Sequence, residues 1–558
     1  MSGIPPALRE LEERVIALYR QGKYPEALAV ARESLHMAGK VLGPGHVYVK
    51  TMRNNVAQLD RLRRRQEEAW QAPFHPAPAR GGRNGFLRAV PVLALTAVVA
   101  SLLLFAPLFS HPGRALSAGA PPSRPEGEFL PFYAVTARFD PWKRTVEGEQ
   151  EVTFLCAEAV EELLFNLYFN RYSDPRLDTS EIRRYAFRKG KDRGYIDILR
   201  VSCNGVPLSF AEEGEVLRVF PAAGRFSRGK QTLKIAFRVR IPMIADRSGG
   251  NADGIWLGHW LPTLKVDPEG RAPTEIGDPF VNLSSTYEVR FTVPKPYTLV
   301  LSNIDDVREN ADTRIYHARL AGVRDLPVFL NRGYEAAAVT EGGVEIRFYY
   351  TCSGSRREHV LSAARKAVAY LQSRVGEYPW RQLNIVENDM YLDGMEYATL
   401  ILVSTAALRD NPVGTVFHEV AHQWFYNIIG NDQYGAPFLD EGMVEFLTSR
   451  ALGGGVRGDG ASAGDLDKDL SRFSSWQEYR RTHYEGGKAF FHNLCLALGE
   501  EKFDRLLREY YARYRFALVS PAEFRRFVAA QAGEDLACRC PDANPGQEVR
   551  PERPPDGR

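Results

Sequence analysis

At 558 residues the chain is long enough for several domains with sizeable cores. Its 72 basic and 69 acidic side chains nearly cancel, to a formal net charge of +3, so nothing implies a nucleic-acid partner. Six cysteines in such a length exclude a disulfide scaffold.

Residues 7–68 read as helices separated by Gly22 and by Gly43-Pro44-Gly45. The segment GKYPEALAVARESLHMAGKVLGPGH resembles a tetratricopeptide repeat, and residues 1–70 are expected to form a cytoplasmic helical segment. Such repeats need about three copies to bury a continuous core. A single copy is either a docking module for a protein partner or a plain helical hairpin. A basic linker, 71–88, leads to residues 89–109, which carry no charge over 21 positions. About twenty apolar residues cross the hydrocarbon core, so this run is a transmembrane helix candidate. Seven basic residues lie between 61 and 88, whereas the linker after the span carries Arg114 and Arg124, which predicts a cytoplasmic amino terminus and an exported carboxyl-terminal part. The competing reading is a cleaved leader ending near Ala118-Gly119-Ala120; the long stretch before the apolar run argues against it.

A linker, 110–128, precedes an all-β domain predicted over 129–350. Residues 151–156, 233–241 and 287–293 alternate apolar and polar side chains, the period of half-buried strands. Cys156 and Cys203 fall in this domain, either as a pair or as lone buried thiols; Cys538 and Cys540 are too close together to bridge comfortably. From 355 to 375 the period becomes helical, with Val360, Ala364, Val368, Leu371 and Val375 on one stripe. Strands follow at 383–386 and 400–403, then helices through about 530. Strands followed by helices predict an α+β domain over 351–540. The tail, 541–558, is rich in Pro, Glu and Arg and predicted disordered.

Within that α+β region lies His418-Glu419-x-x-His422. Asn411 can cap a helix with Pro412 in its first turn, and the apolar run suggests that the helix reaches Ile429, with Gly430 as its stop. Residues four apart share a helix face, so both imidazoles aim at one ion. Zinc takes such nitrogens and wants a third protein ligand plus an open position. Glu441 is the natural third ligand, on a second helix over 439–452. Glu419 is left free to take a proton from the activated water.

His-Glu-x-x-His, eighteen residues and then a Glu in an Asp-Glu-Gly helix resembles the aminopeptidase N family of gluzincin zinc metallopeptidases. Asp393-Gly394-Met395-Glu396-Tyr397 resembles that family's GxMEN loop, with Asp393 for the first Gly and Tyr397 for the Asn. Tyr484-Glu485-Gly486-Gly487 resembles its YxKG segment. The likeness extends weakly over about 129–535, where Trp260-Leu-Pro and Gly277-Asp278-Pro279-Phe280 match bacterial members, although core packing accounts for those aromatics. It implies a β domain followed by a thermolysin-like catalytic domain, one zinc ion and peptide substrates. It assigns Tyr484 to the oxyanion, with Tyr479 as alternate, and Glu396 to the substrate's α-amino group. The family's further helical domain does not fit in the remaining length. Trp424 and Phe425 read as core residues, and Asp440 and Glu445 as groups that orient a ligand histidine. The expected function is a membrane-anchored aminopeptidase. Its rivals are an open-cleft endopeptidase and a non-catalytic scaffold that docks partners through the helical repeat.

Overall fold

The computed structural model describes residues 129–177, 181–188, 190–454 and 463–532, together with 24–43 and scattered positions between 5 and 60. The predicted span 89–109, both linkers, the tail 541–558, and Cys538 and Cys540 lie outside the described residues. Among those described, no helix is long and apolar enough to cross a membrane.

Two units divide the chain, Met1–Leu116 and Ser117–Arg558. In the first, a helix spans Tyr24–Leu42, with Glu26 in its first turn and Lys40 in its last, each charge complementing the helix dipole. Ala38 on this helix packs with Leu8 and Val49, so the segment buries a small apolar cluster of its own.

The second unit opens on an eight-stranded sheet. From one edge its strands are Ile304–Glu309, Thr313–Val323, Ser285–Pro294, Phe132–Asp140, Thr145–Cys156, Gly229–Arg240, Tyr195–Cys203 and Val206–Pro207. All three stretches predicted from their period fall in it. Thr145–Cys156 pairs antiparallel with Gly229–Arg240 over their full length, Thr145 opposite Arg240 and Cys156 opposite Gly229. Leu233, Ile235, Phe237 and Val239 are completely buried while the residues between them are not. Each such side chain contributes about 1.5–3 kcal/mol on burial. Cys156 and Cys203 are free thiols.

A five-stranded sheet follows, ordered Glu335–Glu341, Val344–Tyr350, Gln382–Asn388, Leu400–Ser404 and Gly394–Met395. This moves the expected boundary at 350. The hairpin 335–350 looks like the preceding β region by period, yet Val344–Tyr350 pairs parallel with Gln382–Asn388, so the α+β part starts near Glu335. Gln382–Asn388 and Leu400–Ser404 are buried at every position, as strands covered on both faces must be.

Four helices build the site: α1 (Arg357–Arg374), α2 (Pro412–Ala421), α3 (Glu441–Leu452) and α4 (Gly487–Leu498). Asn411 caps α2 as expected, its side chain accepting from the Gly414 amide. The helix ends at Ala421, however, not at Ile429. Beyond it the turns widen: the amides of Asn427, Ile428 and Ile429 donate to carbonyls five residues back, and Tyr426 takes a φ of 107°. The buried Arg324 stabilises this departure by donating to the carbonyls of Tyr426, Asn282 and Ala517. Gly430 is required beside it, because a Cβ there would lie 2.2 Å from the guanidinium carbon. Trp424 is fully buried, its indole donating to the Gly376 carbonyl.

Candidate metal centre and cleft

His418 on α2 and His422, the residue that caps it, face the same way, and their Nε2 atoms stand 3.1 Å apart. Glu441, the first residue of α3, brings Oε2 to 3.4 Å from His418 Nε2 and 3.3 Å from His422 Nε2. Four ligands at about 2.0–2.1 Å in a tetrahedron have edges of about 3.3–3.4 Å. The three donor atoms thus already form one face of a zinc tetrahedron. Glu441 Oε2 is buried with no hydrogen-bond donor of its own. The donor set therefore fits zinc.

Each ligand has an outer partner. Glu445 Oε1 lies 3.4 Å from His418 Nδ1, so it orients that ring as expected. Asp440 does not do so for His422. Its oxygens accept from Asn431 and Gln433, and His422 Nδ1 meets the Phe425 carbonyl at 3.2 Å, which the widened turns after α2 bring within reach. Glu441 Oε1 accepts from the Tyr484 hydroxyl at 2.5 Å. Tyr484 reaches it from a π-helical segment, Arg480–Gly486, that precedes α4. Close helix packing makes this reach possible: a Cβ on Gly442 would lie 2.6 Å from the Gly487 Cα.

Burial opposes charge on the imidazoles, but Glu441 and Glu445 outweigh it and hold His418 well above its usual range. His422 is raised to about 9, mainly by Glu441 against the same burial. Glu441 is buried too, yet the two histidines drive it well below an ordinary carboxylate. Protons and a metal ion thus compete for one donor set. Glu419 is different: burial lifts it to about 8, and its Oε2 has no hydrogen-bond partner. It lies flush against Gly394, where a Cβ would meet its Oε1 at 2.0 Å. Burial and the Glu441 charge keep Tyr484 protonated, as a donor.

Glu396 is buried beside this centre. It accepts from Gln433 at 2.7 Å, and burial together with Asp278 raises it to about 7. Its loop is pinned by Asn427, which donates to the Glu396 carbonyl at 2.7 Å. Tyr397 points away, its hydroxyl donating to the Arg247 carbonyl. The departure from Asn at that position is thus spent on anchoring the loop to the β region. His418, His422, Glu441, Glu419, Tyr484 and Glu396 line one cleft of about 880 Å³, whereas the alternate Tyr479 packs in an apolar cluster with Phe473 and Leu470. Sequence reading missed Gln433, which joins Glu396 to Asp440, and gave Asp278 no role of its own. Asp278 in fact lines the cleft, and Arg247 holds it from behind. No motif marks Gln433.

Residues 361–461 match the Peptidase family M1 domain. Over that stretch the chain is similar to peptidase family M1. The match includes Glu396, both histidines, Glu419 and Glu441, and stops short of Tyr484. Residues 14–48 match a tetratricopeptide repeat. Among curated proteins, leucine aminopeptidase 2-1 of Meyerozyma guilliermondii is 24% identical over 196 residues, 30% of this chain and 31% of that one. Aminopeptidase B of Mus musculus is 21% identical over 291 residues, 47% of this chain and 44% of that one. The chain thus spans less than half the length of these relatives. An M1 zinc metallopeptidase from Deinococcus radiodurans superposes with a TM-score of 0.53 at 16% identity, over 73% of this chain and 92% of that one. A mutant of that metallopeptidase bound to a Tyr-Ser-Ala substrate gives the same score, identity and coverage. At such identity the likeness concerns the fold that carries the M1 domain.

Proposed function

We propose that the protein is a zinc-dependent aminopeptidase. The observation that carries this is the triangle of His418, His422 and Glu441 with two further buried carboxylates beside it, Glu419 and Glu396. Zinc, held by the three ligands, would acidify a water and polarise the scissile carbonyl. Glu419 takes the proton from that water and returns it to the leaving amine. Tyr484 turns its hydroxyl from Glu441 to the developing oxyanion. Glu396 receives the substrate's ammonium group, which fixes the terminal peptide bond at the centre. The relatives named leucine aminopeptidase and aminopeptidase B support the same reading.

The test is the full chain assayed on aminoacyl reporters. Glu419→Gln should keep one zinc per chain and lose turnover by about 10²–10⁴; full activity in that variant overturns the role. Acetylated peptides should be refused, and their efficient cleavage at internal bonds would make the enzyme an endopeptidase.

The uncharged run 89–109 supports a single-pass anchor, with the repeat-like segment in the cytoplasm, available to a protein partner, and the M1 domain exported. Alkaline extraction of membranes, with protease protection of each side, tests this arrangement. Release into the soluble fraction would overturn it.

A further inference from the structure

Charge is spread unevenly around the cleft. Seven carboxylates line it, from Glu275 and Asp278 on the β side to Glu419, Glu441 and Glu445 at the metal ligands. Two guanidinium groups join them among the described residues, Arg176 and Arg480. Arg176 is committed, its Nε 3.0 Å from both oxygens of Asp174 and its Nη2 2.7 Å from one. The Arg480 guanidinium makes no hydrogen bond or ion pair with any described residue.

The position of Arg480 is specific. It opens the π-helical segment Arg480–Gly486, one turn before Tyr484, and residues so spaced share a helix face. Tyr484 touches Glu441, so the base of Arg480 stands about one turn, ~5–6 Å along the axis, from a side chain at the reacting centre. Glu396 lies buried, whereas Arg480 is exposed at the cleft's mouth. A substrate whose ammonium sits on Glu396 and whose leaving portion runs outward on the Tyr484 side passes Arg480. Extended chain covers ~3.3–3.6 Å per residue, so a carboxylate one or two residues beyond the scissile carbonyl falls ~4–7 Å past it.

We propose that Arg480 captures a carboxylate on the leaving side of the substrate, which makes di- and tripeptides with free carboxyl termini the preferred class. This rests on the aminopeptidase reading above. The guanidinium fork matches a carboxylate in two parallel hydrogen bonds, and it pairs with no acid among the described residues. An acidic side chain on the first leaving residue presents the same group, so the test separates the two sources.

The full chain, loaded with zinc, is given Leu-Gly, Leu-Gly-Gly, their amides, Leu-Asp-amide, Leu-Ala-amide and leucyl p-nitroanilide. The free peptides should exceed their amides in kcat/KM by tenfold to a hundredfold, chiefly through KM, which is the range for hydrogen bonds to a charged group. Arg480→Ala should collapse that ratio toward one, and Arg480→Lys should keep part of it. Calorimetry should show the same loss in Leu-Gly affinity when Arg480→Ala is added to Glu419→Gln, with zinc content unchanged. A wild-type ratio near one, or a ratio that survives Arg480→Ala, overturns the proposal; if the anilide is still cleaved, the aminopeptidase reading stands without it. No cleavage of any reporter removes both. An Arg480-dependent preference for Leu-Asp-amide over Leu-Ala-amide, with no gain for Leu-Gly, assigns the arginine to acidic side chains and overturns the short-peptide class.

Discussion

The two ends of the cleft solve opposite electrostatic problems with the same residue type. At the metal end, Glu441 faces two imidazoles and is held far below the ordinary carboxylate range. A few ångströms deeper, Glu396 and Asp440 share one donor, the Gln433 amide, and burial lifts them to about 7 and about 8. One end is already compensated; the other waits for a cation. Burial alone would raise every carboxylate, so the position of a base decides which becomes a ligand and which remains open to a substrate's ammonium.

Removing a base at the compensated end should therefore have the largest effect. His422→Ala leaves Glu441 buried with one imidazole and breaks the tetrahedral face. Zinc content should fall from one per chain to near zero, read by metal analysis after dialysis, and activity should vanish with it. Tyr484→Phe sharpens the contrast, because it removes a hydrogen bond to Glu441 without removing a ligand. Zinc should stay and kcat should fall by about 10²–10³, the cost of one oxyanion donor. Loss of zinc instead would make Tyr484 a support for Glu441. Glu445→Gln acts one bond further out, on His418 Nδ1, and should weaken zinc by about 10–100-fold in a chelator competition.

The site was more legible than the backbone that delivers it. The His-Glu-x-x-His spacing specifies a shared face within a single turn, and that turn is intact in α2. The helix end was not legible, because the residues from His422 to Ile429 hold no Gly or Pro and stay helix-compatible. What unwinds them is Arg324, a buried cation from about a hundred residues earlier, which draws in the Tyr426 carbonyl. Asp440 failed for a related reason: adjacency to a ligand suggests an orienting role, but the Phe425 carbonyl occupies the nitrogen first. Alternation located three strands of the eight-stranded sheet but not the boundary at Glu335, since pairing partners leave no mark on period. Gln433 sits in a polar loop, and only the fold places it between two carboxylates.

The smallest effect concerns the uncompensated end, and its sign separates it from the other. In metal-free protein, Glu396, Glu419 and Asp440 hold protons up to about 7, 8 and 8, whereas the unfolded chain releases them near the ordinary carboxylate values. Between pH 5 and 8 the native state thus binds more protons than the unfolded state. His422, raised to about 9, adds to this above its unfolded value. Stability must then fall as pH rises through that window. Glu441 works the other way, but only below pH 5, where the unfolded chain begins to protonate. The metal-free protein should lose several degrees of Tm between pH 5.5 and 8 in scanning calorimetry. Saturating zinc should flatten or reverse that slope, because it binds the deprotonated imidazoles and places a cation beside the remaining carboxylates. A metal-free Tm that climbs across the window would mean these carboxylates find a base in solution, and the contrast between the two ends would fail.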